Sequence, residues 1–366
     1  MNLLLVGLLA ILPISLKADT CIVQHYLDIP EAIQKCTILI LDNLDIPGGE
    51  PLRLPLRDGQ RLYFRGTTTF GYAVWDGPLV VINGTNVAIE GETGAVLDGQ
   101  GPLYWDGLGE WGSLKPKFFT IQLHNSSMKG INILNSPVHC VLLADSSDVV
   151  LSEWNIDNGA GDPSVAGNDR AGHNTDGFDV WNGTNIKIKN SIVTNQDDCV
   201  AIRCGNGIVI DDLTCYGGHG LSISVGFSNE SIAQNTLRNV AVMNSVLMGG
   251  QNGIHIKTHV DGGLGVIENV TYSNIVLHGL GSYGINIQQN YRNLPGNSSS
   301  FPSEATNNIP IKNLQLIDIS GTLEDKAVPY YIFCAEAGCF DWTFSKVLLK
   351  GGHNSTCNFE PDNFVC

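Results

Sequence analysis

Basic charge is scarce in this chain. Twenty Lys and Arg stand against 36 Asp and Glu, a formal net charge of −16. The cations gather nowhere into a patch of the size a phosphate backbone requires, which excludes nucleic acid as a partner. Long apolar runs are scarce too. The run NLLLVGLLAILPISL near the start is too short to span a bilayer. It reads as the core of a secretory signal with a small-residue cleavage point near Ala18. Residues 1–18 are therefore expected to be a signal peptide and 19–366 one domain, secreted and free of membrane anchors. Close Cys-x-x-Cys pairs and clustered histidines are missing, so the ten cysteines point to disulfides. Neither a metal nor another cofactor is expected. Seven Asn-x-Ser/Thr sequons, at Asn83, Asn125, Asn182, Asn229, Asn269, Asn297 and Asn354, fit the same oxidising, glycosylating route.

Helical periodicity is nearly absent as well. The one persuasive helix lies in LDIPEAIQKC, where Asp28 can cap, Pro30 sits in the first turn, and Cys21 and Cys36 flank the segment. Most of the rest is short Ile/Val/Leu-rich runs of three to six residues broken by Asn, Gly, Asp and Ser, such as TNIKIKNSIV and NGIVIDDLTC. One phrase returns. DGFDV from Asp176, DCVAI from Asp198 and GLSIS from Gly220 are spaced by 22 residues each, and GIHIK and GINIQ continue the column with longer inserts. A unit of that length made only of strands suits one coil of a parallel β-helix. The expectation is an all-β, single parallel β-helix, with the short amino-terminal helix and the cysteine-rich carboxyl end as caps. A Greek-key sandwich is the rival, and it does not account for the 22-residue spacing.

The register decides which side chains meet. Asp176 and Asp198 share a column, and Asp197 lies one coil from His219, gathering three carboxylates and an imidazole. Both members of the Asp197–Asp198 pair reach one patch only if the strand bends there, because alternation sends neighbours to opposite faces. Close carboxylates raise one another's affinity for a proton, and a site holding one protonated and one ionised acid suits glycosidic hydrolysis. Asp and Asn ladders can also be purely structural in such turns. In GIHIKTH, His255, Lys257 and His259 project one way if the stretch is a strand. Lys257 then flanks the acids and could hold a sugar carboxylate, Tyr283 on the following coil could stack on a ring, and His259 reads as surface.

The phrases GHNTDGFDV (172–180), NQDDCVAI (195–202), GGHGLSI (217–223), GIHIKT (253–258) and YGINIQQNY (283–291) together resemble the polygalacturonases, pectin-degrading glycoside hydrolases, most closely the fungal-type branch. LDGQGPLYWDG with the following Lys-Pro-Lys resembles the family's amino-terminal signature. The resemblance implies a right-handed parallel β-helix that hydrolyses α-1,4-galacturonosyl linkages of pectic polysaccharide with inversion, without metal, as a monomer. It casts Asp197 as general acid, Asp176 and Asp198 as the pair activating water, and His219 as the group tuning the acid. Lys257, His255, Tyr283 and Asn174 fall at substrate-binding positions. It also implies the disulfides Cys21–Cys36, Cys199–Cys215, Cys334–Cys339 and Cys357–Cys366, leaving Cys140 and Cys204 over. Two departures touch the sugar-binding side: His255 where the family usually has Arg, and SISVGF where another Gly is usual. His titrates near pH 6.5 and lacks Arg's fixed fork, so activity is expected to favour acid, where His255 is charged. The leading expectation is an endo-acting enzyme; a catalytically impaired pectin binder and an exo-acting or oligomer-specific relative are the alternatives.

Overall fold

The computed structural model describes residues 19–293, 304–362 and 364–366. The expected signal segment and the sequon at Asn297 lie outside them. The chain winds as a right-handed parallel β-helix, every strand pairing in parallel with its counterpart one coil away. The coils that matter most pass through Phe178–Asn195, Val200–Gly217, Leu221–Val225, Asn252–His259 and Tyr283–Tyr291.

Identical positions stack because the inward face is aliphatic. Ile202, Ile223, Ile256, Ile287 and Ile332 are register partners on five successive coils, all buried. Each fully buried side chain of this kind contributes about 1.5–3 kcal/mol. Asparagines stack at the corners in the same way. Asn239 donates to Asn206 at 2.7 Å, Asn269 to Asn239 at 3.0 Å and Asn313 to Asn269 at 2.8 Å. The last three have φ between 48° and 57°, a left-handed conformation that Asn tolerates better than most residues. Three sequon asparagines, Asn125, Asn182 and Asn269, spend their side-chain amides in such ladders.

Two expectations are corrected here. Strands are longer than three to six residues, reaching 18 in Phe178–Asn195 and in Val200–Gly217, because the left-handed Asn and Asp corners turn the chain without interrupting pairing. The column spacing also changes. It is 22 residues for Phe178↔Val200 and for Asn195↔Gly217, but 21 for Val200↔Leu221. The extra residue sits in Gln196–Cys199, which leaves the strand as a bend.

Helix Ile29–Lys35 covers the first coil with Ile29, Ala32 and Ile33. Asp28 stands at its N-cap but its side chain makes no capping bond, so Pro30 marks the start, while the Cys21–Cys36 staple ties its C-terminal end to the first strand. All four expected disulfides are present. Cys140 and Cys204 are both buried free thiols. Among the described residues no helix is long and apolar enough to cross a membrane.

Candidate active site

The bend at Gln196–Cys199 is what makes a site. It lets Asp197 and Asp198 face the same open cleft as Asp176 on the preceding coil and His219 on the following one. Gly218, at φ 71°, allows the close approach of the His219 coil, since a side chain there would strike the Asp197 carbonyl oxygen. His219 Nδ1 lies 3.0 Å from Asp197 Oδ1, which also accepts the Asp198 backbone N–H at 2.8 Å. Asn174 donates to Asp197 Oδ2 at 3.1 Å, its own backbone held at φ 51°. Lys257 Nζ lies 2.9 Å from Asp198 Oδ2, and the Ser222 hydroxyl donates to Asp198 Oδ1 at 2.6 Å. The cleft has a volume of about 1290 Å³, beyond the roughly 300–1,000 Å³ of a small-molecule pocket and suited to an extended chain.

These partners separate the acids. Burial pushes Asp197 up, but the charge and hydrogen bond of His219, with Lys257 behind, outweigh it and hold the group well below the carboxylate range. Burial drives Asp176 well above that range, and the Asp197 charge adds to it. Asp198 is raised by burial against the pull of Lys257. His219 is held above its ordinary value because the Asp197 charge overcomes burial.

A second group of charges, missed in the sequence, stands behind Asp176. His139 Nδ1 lies 2.8 Å from Asp179 Oδ2 and 3.6 Å from Asp176 Oδ1, while its Nε2 lies 2.8 Å from Glu110. Arg203 meets Asp179 at 2.9 Å. The Asp106 carboxylate gathers Ser113 and Lys115, fixing the loop that delivers Glu110. The hydrogen bond from His139 lowers Glu110 to about 2, and carboxylates on both sides raise His139 well above 6.5 despite its burial. Alternation could have revealed Asp179 and Arg203, which occupy the outward face of strands whose inward face is Phe178, Val180, Val200 and Ile202. Glu110 comes from a single 3-10 turn, Gly109–Trp111, and His139 from a loop, and neither leaves a periodic signal.

Lys257, His255 and His259 do share one face of Asn252–His259 and line the cleft. Three expectations change in detail. Lys257 is engaged by Asp198 through one hydrogen bond, so it meets a sugar only with the donors that remain. His255 is not a cation in mild acid: burial and the Lys257 charge push it well below 6.5, and its Nε2 meets the Gln288 side-chain amide at 3.1 Å. His259 is not surface but 5 % exposed, in contact with the Ser224 hydroxyl, and burial lowers it to about 4. Tyr283 lines the cleft as expected, packed edge-on against Tyr331 at 5.6 Å. Tyr291, at the far end of the same strand and 5.2 Å from Lys257, was not singled out in the sequence.

Two triads, His139–Asp176–Asp179 and Asp197–Asp198–His219, bring possible metal ligands within 4.8 Å of one another. In each the imidazole is hydrogen-bonded to a carboxylate that raises its affinity for a proton, so a metal would have to displace that proton to bind.

Comparison with known proteins fits this arrangement. Residues 34–366 match the model of glycosyl hydrolases family 28, and the chain belongs to that family, a class of glycoside hydrolases. It is 41% identical over 354 residues to a polygalacturonase of Phaedon cochleariae, covering 95% of this chain and 94% of that one. Endopolygalacturonase I of Aspergillus niger is 41% identical over 355 residues, covering 96% and 92%. The structure of endopolygalacturonase I from Stereum purpureum, complexed with two galacturonates, superposes with a TM-score of 0.80 at 29% identity, covering 92% of this chain and 96% of that one.

Proposed function

We propose that this glycoside hydrolase is a secreted polygalacturonase, cutting within the α-1,4-galacturonosyl backbone of pectin with inversion. The observation that carries the reading is the convergence of Asp176, Asp197, Asp198 and His219 on the floor of one long cleft, with Lys257 beside them. One chain supplies every group of the site, so a monomer suffices. Its relatives named as endopolygalacturonases support internal cleavage. Inversion rests on the family resemblance.

Asp197 and His219 share one proton as a coupled pair. The Asp197 charge favours it on His219; transferred through Asp197, it protonates the departing oxygen. Asp176 and Asp198 hold the attacking water, and the one that takes its proton as it adds to the anomeric carbon must be ionised to do so. Their raised affinity for protons sets the acid limb of activity, and loss of the His219 proton, above 6.5, sets the alkaline limb. Lys257 keeps two donors beyond the one given to Asp198, enough to grip the carboxylate of the sugar at the cut.

The separation of the acids favours one second reading, in which Asp176 is the acid and Asp197 the base. The test is reducing-end release and product size from polygalacturonate between about pH 4 and 7, with proton NMR of the anomeric product. Asp197→Asn is expected to lose about 10²–10⁴-fold on polymer and to recover on an aryl galacturonide whose leaving group needs no proton. Recovery by Asp176→Asn instead would exchange the roles. Binding without any release of reducing ends would leave the impaired-binder reading in place of the enzyme.

A further inference from the structure

Every Lys and Arg lining the cleft among the described residues already faces a carboxylate. Lys257 meets Asp198 at 2.9 Å, Arg203 meets Asp179 at 2.9 Å, Lys117 meets Glu110 at 3.5 Å and Arg292 meets Asp261 at 3.9 Å. Beyond Lys257 along the strands stands an aromatic wall. Trp181 lies 5.7 Å from Phe227, Phe227 4.3 Å from His259, and His259 5.0 Å from Tyr291, measured between ring centres. The Arg203 guanidinium sits 4.7 Å from the centre of Phe227 and turns its donors to Asp179. Phe227 is 38 % exposed, so the wall presents an apolar face to the cleft.

A galacturonate carboxylate laid on this wall at Trp181 and Phe227, away from Lys257, would shed water against ring faces and meet only Arg203, which turns its donors to Asp179. Burying an unpaired charge costs far more than burying an ester carbonyl. Esterification removes that charge and adds a methyl group that can contact the Phe227 ring. We propose that the wall of Trp181, Phe227, His259 and Tyr291 is a subsite for a methyl-esterified galacturonosyl residue. The enzyme then accepts partially esterified pectin, with a free acid needed only at the position served by Lys257. This rests on the hydrolase reading above and goes beyond it in naming the substrate form.

The test compares kcat/KM of the purified protein on polygalacturonate and on the same polymer randomly and partially methyl-esterified. Expected is a value on the esterified polymer within about tenfold of the other, the lower end of what one methylene-sized difference is worth; a larger drop overturns the proposal and leaves the hydrolase reading standing. Phe227→Ala is expected to lower the ratio of esterified to de-esterified kcat/KM by about threefold or more, the loss of one aromatic contact. An unchanged ratio also overturns it. Should Phe227→Ala fail to fold, Trp181→Leu reads the same ratio. Should neither polymer be cut, the hydrolase reading fails, and the tryptophan fluorescence change lost in Trp181→Leu decides the wall separately: tighter binding of methyl-esterified oligomers supports it, tighter binding of free-acid oligomers or equal binding overturns it.

Discussion

Replacing Lys257 by Met removes the cation from a buried ion pair and leaves Asp198 with Ser222 as its remaining side-chain partner. Two unit charges 2.9 Å apart attract by about 6 kcal/mol at an effective dielectric constant of 20, and breaking one side of a buried pair costs about 3–5 kcal/mol. For a chain of 366 residues the unfolding entropy is roughly 0.8 kcal/mol per kelvin, so the melting temperature should fall by about 4–6 °C. The loss depends on pH, and its sign follows from Asp198. Burial already raises this acid and Lys257 opposes the rise; without Lys257 it rises further. The penalty is the cost of an ionised, unpaired carboxylate in the fold, absent where the group is protonated in both states and growing as pH climbs above the ordinary Asp value near 3.9. The melting gap between wild type and Lys257→Met should therefore be widest near neutrality and narrow towards pH 4, read by scanning calorimetry. The acid limb of activity should move up in step. A gap that is constant with pH, or widest in acid, would refute the pairing and with it the account of Asp198 as a base held ready by Lys257.

His255→Gln tests the neutral imidazole. The native fold keeps His255 uncharged well below 6.5 while the unfolded chain protonates there, so wild type loses up to about 1.4 kcal/mol per pH unit below 6.5 from this residue. The variant should gain melting temperature relative to wild type as pH falls from 7 to 4.5, whereas no growing gain would mean that His255 protonates freely in the fold. Asn239→Ala breaks the corner ladder between Asn206 and Asn269 and places Ala at φ 56°. The loss expected is about 2–4 kcal/mol, from two hydrogen bonds and a left-handed backbone, read as a lower denaturation midpoint. Asn239→Gly should recover the backbone share, and equal midpoints for the two variants would assign the whole effect to the hydrogen bonds.

The coil was legible because stacking forces repetition on the sequence. The Ile column from Ile202 to Ile332 and the asparagine corners are the same choice made once per turn, and the repeated phrase is their trace. The register at the site was legible only to within one residue. An offset of 22 residues holds at both ends of Phe178–Asn195, slips by one at Trp181↔Cys204, and shortens to 21 past Gln196–Cys199, where the chain departs from the strand to turn both aspartates into the cleft. The repeat breaks where function needs a conformation that the repeat cannot supply. Charge states were the least legible. Alternation put His255, Lys257 and His259 on one face, but the sequence does not show that this face is a buried floor, and burial turned two of the three supposed cations into neutral rings.

That reversal bears on how a protein of net charge −16 handles an acidic polymer. A cleft with loose cations would hold every carboxylate of the polymer with similar strength, including those that contribute nothing to bond cleavage. Here the cations nearest the catalytic acids are tied to them: Lys257 steadies Asp198, and Arg203 and His139 steady Asp179 beside Asp176. The positive charge serves the state of the catalytic groups first and the substrate second. Screening leaves little reach for the global field beyond about 8 Å at physiological salt. Recognition is then set by short-range contacts, one shared ammonium at the cut and an aromatic wall beyond it. The substitution of His for the usual Arg at position 255 belongs to the same economy of charge: an Arg there would place a second cation against Lys257 in a buried floor, where a neutral ring bonded to Gln288 avoids the repulsion.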